Sequence, residues 1–382
     1  MMRILKAIAT ASLLLASSTI PSWAQAQGVT PANVPVSEPR RVLSLDARAM
    51  PLGGTFKTLQ YWQAYKARFI TNTGRVVDTA NDLISHSEGQ GYAMLLAVAA
   101  NDRPTFDRIW TWTRANLMVR DDQLMAWRWS PNHRPGVSDM NNASDGDILV
   151  AWALAEAGEL WADVSYYIAG RRIAVEVGRK LVLFKAQQGA LLLPAVNGFS
   201  AGERPDGPVV NLSYYVFPAF ARLYLVAPEL DWNGLTQTGL DLMKAARFGP
   251  QSLPTEWISI RDNGIKPADG FPAQFSYNSI RIPLYMAWAG VGDWDSYAPF
   301  YAWSTRKRGS VAAIEVSSGR EVEQLGEAGY SSIAALLSCA IDQAPIPANL
   351  RATRDADNYY PTTLHMMALL AVQMRYAACL RN

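Results

Sequence analysis

Six times along this chain, a loop carrying Ser, Tyr, Gly or carboxylate residues gives way to a segment that is apolar on almost every side. The segments are SEGQGYAMLLAVAA from Ser87, ASDGDILVAWALAEA from Ala143, NLSYYVFPAFARLYLVA from Asn211, SYNSIRIPLYMAWAG from Ser276, GYSSIAALLSCA from Gly329 and YYPTTLHMMALLAVQM from Tyr359. A helix that is apolar all round must be buried all round. Between them lie segments with one-sided patterns, from Thr55, Thr105, Asp163, Leu235 and Trp294, which read as surface helices with one face inward. Strand-like alternation is scarce. Alternating buried and amphipathic helices predict an all-α fold, an (α/α)6 barrel of six inner and six outer helices. The last interval between inner segments is the shortest, so the final outer helix has the least chain to form from. If the inner helices run the same way, their N-terminal loops meet at one end. Glu88, Asp145, Tyr214 and Asn278 would then line one cavity, among helix N-termini whose free N–H groups and positive dipole ends suit carboxylates and sugar hydroxyls.

The ends of the chain set its bounds. Met1 to Lys6 carries two positive charges, Ala7 to Ile20 is apolar, and SWAQAQ offers small residues for cleavage after Ala24 or Ala26. That layout predicts a signal peptide over 1–26, and so a secreted or periplasmic protein. Residues 27–50 read as an extended lead-in and 51–382 as a single domain. The formal charge is +2, and loss of Arg3 and Lys6 with the leader makes the mature chain neutral, which argues against nucleic acid as a partner. No later stretch is long and apolar enough to serve as a stable membrane anchor. We expect a monomer. Cys339 and Cys379 sit in apolar, helix-like runs and read as structural; an oxidising compartment would let them pair, and the sequence leaves open whether they do.

The chemistry is reached by elimination. His86, His133 and His365 are scattered, with no metal-ligand spacing, and neither a phosphate loop nor a Gly-x-Ser-x-Gly elbow is present. No metal and no cofactor are expected. What remains is carboxylates together with 13 Trp, 16 Tyr and 11 Phe in a chain only 18% charged. These are the materials of glycoside hydrolysis, which needs a proton on the leaving oxygen and a nucleophile or activated water on the opposite face. Glu88, at the lip of a buried helix and facing other carboxylates, has the surroundings to stay protonated. Taken alone, it reads equally well as a carboxylate favoured by a helix dipole. Trp127, Trp129, Tyr214, Tyr215 and Trp257 sit in loops or helix starts where rings could stack on sugars, with core packing the alternative for each. Trp110 and Trp112 read as core. Asp139, Asn141 and Asp147 read as sugar-binding or capping groups, with capping favoured for Asp147.

SEGQGYAM and ASDGDILVAWALAEAGELW resemble the two signatures of glycoside hydrolase family 8. AVAANDRPTFDRIWTWTRANL, LMAWRW and YKARFITNTGRVVD resemble more narrowly the bacterial endoglucanases associated with cellulose-synthesis operons. The resemblance runs from about Tyr65 to the C-terminus and is strongest before Trp161. It implies an (α/α)6 barrel and an inverting, metal-independent endo-β-1,4-glucanase, with a β-1,4-linked polysaccharide as partner and a cellulose-export machine as a further one. Glu88 matches the general acid, Asp145 the carboxylate gripping the sugar at the cleavage subsite, Tyr214 a tyrosine near the attacking water and Arg281 an arginine that orients the base. The family usually shows proline where Leu212 stands. The base is the departure: the cellulase branch has aspartate where this chain has Asn278, and an amide has no basic site at neutral pH. Three readings stay open. Another carboxylate replaces the base, with Glu321, Glu323 and Glu327 as candidates; Asp145 activates the water through Tyr214; or the chain is a weak enzyme or a glucan-binding protein. Xylanase or chitosanase activity is the alternative within the family.

Overall fold

The computed structural model describes residues 50–56, 59–261, 264–307 and 310–381. The expected leader over 1–26 and all of the lead-in except Met50 lie outside them. Among the described residues eleven α-helices follow in chain order: α1 Leu59–Phe69, α2 Ser87–Ala99, α3 Arg103–Asn116, α4 Ser144–Leu160, α5 Val164–Leu181, α6 Phe217–Leu223, α7 Trp232–Ala245, α8 Arg281–Ala289, α9 Trp294–Thr305, α10 Ala328–Asp342 and α11 Tyr359–Arg375. The six buried segments of the sequence supply α2, α4, α6, α8, α10 and α11, the inner helices of an (α/α)6 barrel. Every residue of α2 except Glu88 is buried. In the core between inner helices, Trp152 and Trp288 pack with ring centroids 5.1 Å apart. The other five helices lie outside. No α-helix fills the last outer position: residues 343–358 return from α10 to α11 with a single 3-10 turn, Ala348–Leu350.

The two sets of helices begin differently. Outer helices α3, α5, α7 and α9 are each capped by an aspartate of their own, Asp102, Asp163, Asp231 and Asp293. Inner helices α4, α6, α8, α10 and α11 have no side-chain cap at the N-cap position. Their first N–H groups are left to other partners; that of Ala328, for example, goes to Asp357 Oδ2 at 3.0 Å.

Some boundaries differ from the sequence pattern. The apolar run from Asn211 yields only a short α6, which starts with Pro218 in its first turn and gives out before Pro228, leaving Tyr224 and Leu225 about half exposed. The run from Asp163 leaves the helix after Leu181, and its tail becomes a hairpin, Val182–Ala186 with Gly189–Leu192. Small antiparallel sheets also form where alternation had been faint. One pairs Ser85 with Trp129 and His86 with Arg128, fixing the Trp127 loop beside the start of α2. A second joins Val209–Asn211, Trp257–Arg261 and Gly264–Pro267. A third joins Arg320–Leu325, Val311–Glu315 and Gln274–Phe275. The last two bring Asn211, Glu256 and Ser276 to the same end of the barrel.

Close approach of α2 and α4 requires glycine. A Cβ at Gly91 would stand 2.6 Å from Leu149 Cβ, and one at Gly146 would stand 2.1 Å from Ser87 Oγ and 2.7 Å from Glu88 N. Absence of side chains there sets Glu88 and Asp145 side by side. At the chain's end, Cys339 and Cys379 form a disulfide with Cα atoms 6.0 Å apart. It ties α10 to the final 3-10 turn across a sequence separation of 40. By loop entropy it contributes about 4 kcal/mol. Replacing both cysteines by serine is expected to lower the melting temperature by roughly 5 °C in a calorimetric scan.

Candidate active site

A cavity of about 370 Å³ opens where the inner helices begin, lined by residues at or just ahead of the starts of α2, α4, α6, α8 and α11. At α2 the N-cap is His86, whose Nδ1 accepts the Gly89 N–H at 3.0 Å. That bond leaves the ring proton on Nε2, which faces Asp78 Oδ2 at 3.8 Å. Burial, aided by the Arg281 charge, pushes His86 down to about 4, so the ring is neutral. Glu88 follows in the first turn. Its Oε1 accepts from Tyr92 Oη at 3.1 Å and from Arg281 Nη1. Its Oε2 lies 3.6 Å from His86 Nδ1, beyond a hydrogen bond.

Asp145, in the first turn of α4, is 2% exposed. Its Oδ1 accepts the Gly146 N–H at 2.8 Å and its Oδ2 accepts from Arg281 Nη1 at 2.9 Å. Arg281, the first residue of α8 and 1% exposed, therefore serves both carboxyls. Its Nη2 donates to Ser213 Oγ at 2.9 Å and to Asn278 Oδ1 at 2.8 Å. Two carboxyls around one guanidinium leave an unbalanced negative charge in a buried place, and a retained proton removes it. Burial pushes Asp145 up to about 7. The folded chain thus holds this proton more tightly than the unfolded chain does, and stability falls as pH rises from about 4 to about 7. Asp145→Asn is expected to flatten that slope and to melt above the parent at pH 7 and higher, as read from thermal melts between pH 4 and 8. Asp147 is also pushed up to about 7 by burial, so the comparison is between variant and parent.

The rest of the cavity is held by local turns. Tyr214 ends a 3-10 turn whose N-cap, Asn211, accepts the Ser213 N–H at 3.0 Å. The Arg281 guanidinium lies 5.7 Å from the Tyr214 ring centre. Burial, then the Asp145 charge, raises the Tyr214 phenol well above its ordinary value. Trp127 lines the cavity and donates Nε1–H to Asp139 Oδ2 at 2.8 Å. Asn278 also lines it, with its amide fixed at both ends: Oδ1 faces Arg281 and Nδ2 donates to Glu256 Oε2 at 3.1 Å.

Other residues singled out in the sequence are placed elsewhere. Trp129 packs edge-on against Trp112 at 5.5 Å with Arg75 over its ring. Trp257 is stacked between Phe199 at 5.5 Å and Phe271 at 4.6 Å, so its faces are taken by other rings. Tyr215 is fully buried, its hydroxyl accepting the Leu192 N–H. Asn141 holds Asn197 O. Asp147 does not cap α4; it accepts Met125 N–H at 2.9 Å and Asn142 Nδ2–H at 2.8 Å, bracing the loop before it. Glu321 pairs with Lys307 at 2.5 Å, Glu323 accepts from Tyr277 Oη at 2.7 Å and Glu327 accepts the Asn358 N–H at 2.7 Å. None of the three lines the cavity, although Tyr277 does. Asp78, Tyr277, Tyr360 and, behind Asn278, Glu256 complete the surroundings. The sequence pattern does not point to Asp78 or Glu256, because neither begins an apolar run; Tyr277 and Tyr360 do lie in such runs, beside Asn278 and Tyr359. A larger cavity of about 620 Å³ beside the hairpin at Val182 has no carboxyl in its lining among the described residues.

The glycosyl hydrolases family 8 profile matches residues 50–374. An endoglucanase of Cellulomonas uda is 40% identical over 244 residues, covering 63% of this chain and 66% of that protein, so the match spans just under two thirds of its length. The crystal structure of a family 8 endoglucanase from Klebsiella pneumoniae superposes with a TM-score of 0.75 at 36% identity, covering 83% of this chain and 99% of the other. An endo-β-1,4-glucanase structure from Acetobacter xylinum gives 0.75 at 31% identity, with 85% and 99% covered. The family match spans most of the chain and contains the cavity built above: the chain belongs to the glycosyl hydrolases of family 8.

Proposed function

We propose that the chain is a secreted or periplasmic endo-β-1,4-glucanase that cleaves cellulose-like glucan with inversion, carried by one catalytic domain over 51–382 behind a cleaved leader. The observation that supports it most is the pairing of Glu88 with Asp145 around Arg281 at the mouth of the helical barrel. In this reading the one proton that Glu88 and Asp145 share around Arg281 sits on Oε2 of Glu88, the partly exposed member in the cavity wall, when glucan is bound, and passes from there to the leaving oxygen. Asp145 and Tyr214 grip the sugar, and Trp127 offers a ring to a pyranose face. Relatives described as endoglucanases favour a glucan over xylan or chitosan. The Cys339–Cys379 disulfide favours an oxidising compartment. Among the described residues no helix is long and apolar enough to cross a membrane. A task in trimming cellulose during its synthesis or export rests on the resemblance of the segments around Trp112 and Trp127.

Asn278 favours a second reading, a glucan-binding protein that retains the groove without turnover. Reducing-sugar release from carboxymethylcellulose separates the two, with xylan and chitosan as parallel substrates and the product anomer followed by NMR. The enzyme releases α-anomeric product from the glucan well above the background of Glu88→Gln. Equal release from parent and variant supports the binding protein instead.

A further inference from the structure

The cavity contains an amide where proton acceptance is needed, and the structure shows what that amide is attached to. Glu256 precedes the strand Trp257–Arg261 and stands directly behind Asn278. Its Oε1 accepts the Asn278 backbone N–H at 2.8 Å and Ser276 Oγ–H at 2.9 Å, and its Oε2 accepts Asn278 Nδ2–H at 3.1 Å. All three donors are neutral, and one of them, Asn278 Nδ2–H, reaches Oε2. The partners also fix the amide's orientation: Nδ2 must face the carboxylate, and Oδ1 must face the Arg281 guanidinium. Oδ1 has a second lone pair, and Asn278 lines the cavity.

We infer that Glu256, acting through Asn278, takes the place of the missing base in the reaction proposed above, on which this inference rests. As water attacks the anomeric carbon, the new C–O bond forms and the old glycosidic C–O bond breaks, and the leaving oxygen takes the Glu88 proton. The proton shed by water passes to Asn278 Oδ1 while Asn278 Nδ2–H passes to Glu256 Oε2. Asn278 becomes its imidic acid tautomer, Glu256 becomes neutral and Glu88 becomes ionised. Return of one proton through solvent to Glu88, with the reverse shift along Asn278, restores the starting state. Inverting sites hold acid and base roughly 6.5–9.5 Å apart, a span that one guanidinium with a hydrogen bond on each side bridges. Here that bridge is Arg281, from Glu88 to Asn278. Glu256 is a positioning residue in the strict sense, since it touches the amide and no substrate atom.

The experiment uses the full chain on carboxymethylcellulose. Glu256→Gln is expected to lower kcat by about 10²–10⁴-fold with KM changed by less than about threefold. Asn278→Ala, which cuts the path and keeps Glu256, should lose as much, and the double variant little more than either. Asn278→Asp placed in the Glu256→Gln background puts a carboxylate where water can reach it and should restore most of the turnover. A merely structural Glu256 would show a lowered melting temperature and no such rescue. Parent-like kcat in Glu256→Gln or in Asn278→Ala overturns the inference, as does a folded double variant with Asp at position 278 that stays inactive. A parent chain that releases no sugar overturns the functional reading and this one with it; an active parent confines any failure to Glu256.

Discussion

Glu88→Gln is expected to cut turnover of carboxymethylcellulose by about 10²–10⁴-fold while leaving the chain folded and able to bind glucan. The amide is nearly isosteric and its oxygen can still accept from Tyr92 and Arg281, which hold Oε1 in the parent. What it lacks is an acidic proton that can be released to the leaving oxygen. A loss of kcat with KM nearly unchanged marks an interaction made only in the transition state. Affinity electrophoresis in glucan-containing gels checks the retained binding. Substrates with an activated aryl leaving group need less protonation, so the variant should recover rate on them. A uniform loss on both substrate types would remove Glu88 from the role of acid.

The second large effect concerns Arg281. Arg281→Met removes the cation bonded to both Glu88 and Asp145, and leaves Ser213 Oγ and Asn278 Oδ1 without their shared donor. Breaking a buried ion pair by deleting one partner costs about 3–5 kcal/mol. Denaturant unfolding at pH 7 should show a loss of that size, together with loss of turnover. The sign with pH is distinctive. Without the guanidinium both carboxyls bind protons more tightly than in the parent, so the penalty is largest at and above neutrality and shrinks toward pH 4, where protonated carboxyls need no counterion. Arg281→Lys should not rescue activity, because an ammonium cannot span both carboxyls and the Asn278 amide as a planar fork does.

Much of this was legible in the residues because the barrel writes itself in a repeated pattern. Glu88, Asp145, Tyr214, Asn278 and Arg281 all lie where a polar loop turns into an apolar helix, and helices buried on every side leave little choice about where their starts meet. Glu256 was not legible. It precedes a short strand instead of an inner helix, and it reaches Asn278 only because Asn211 pairs with Trp257 and Phe275 with Ile314. Position ahead of the fifth inner helix points instead to Glu321, Glu323 and Glu327. Trp129 and Trp257 illustrate another limit. Spacing can mark a ring as lying in a loop, yet which faces other rings cover depends on partners as distant as Arg75 and Phe271. The brevity of α6 was readable from Pro228, had the apolar run not concealed it.

The uneven capping of the helices carries a consequence for how such a chain can change. An aspartate at the start of α3, α5, α7 or α9 caps that helix from the adjoining residue, and loss of the cap alone should weaken the scaffold by about 1 kcal/mol, with more lost at Asp102, which also accepts from Trp62 and Lys66. Inner helices other than α2 have no such cap, and at α10 the opening N–H goes to Asp357 from the loop ahead of α11, so the rim depends on contacts between segments in a way that the outer caps do not. Mutational drift can therefore proceed around the periphery with little functional echo, whereas an exchange at the rim must be matched by a second change across the mouth.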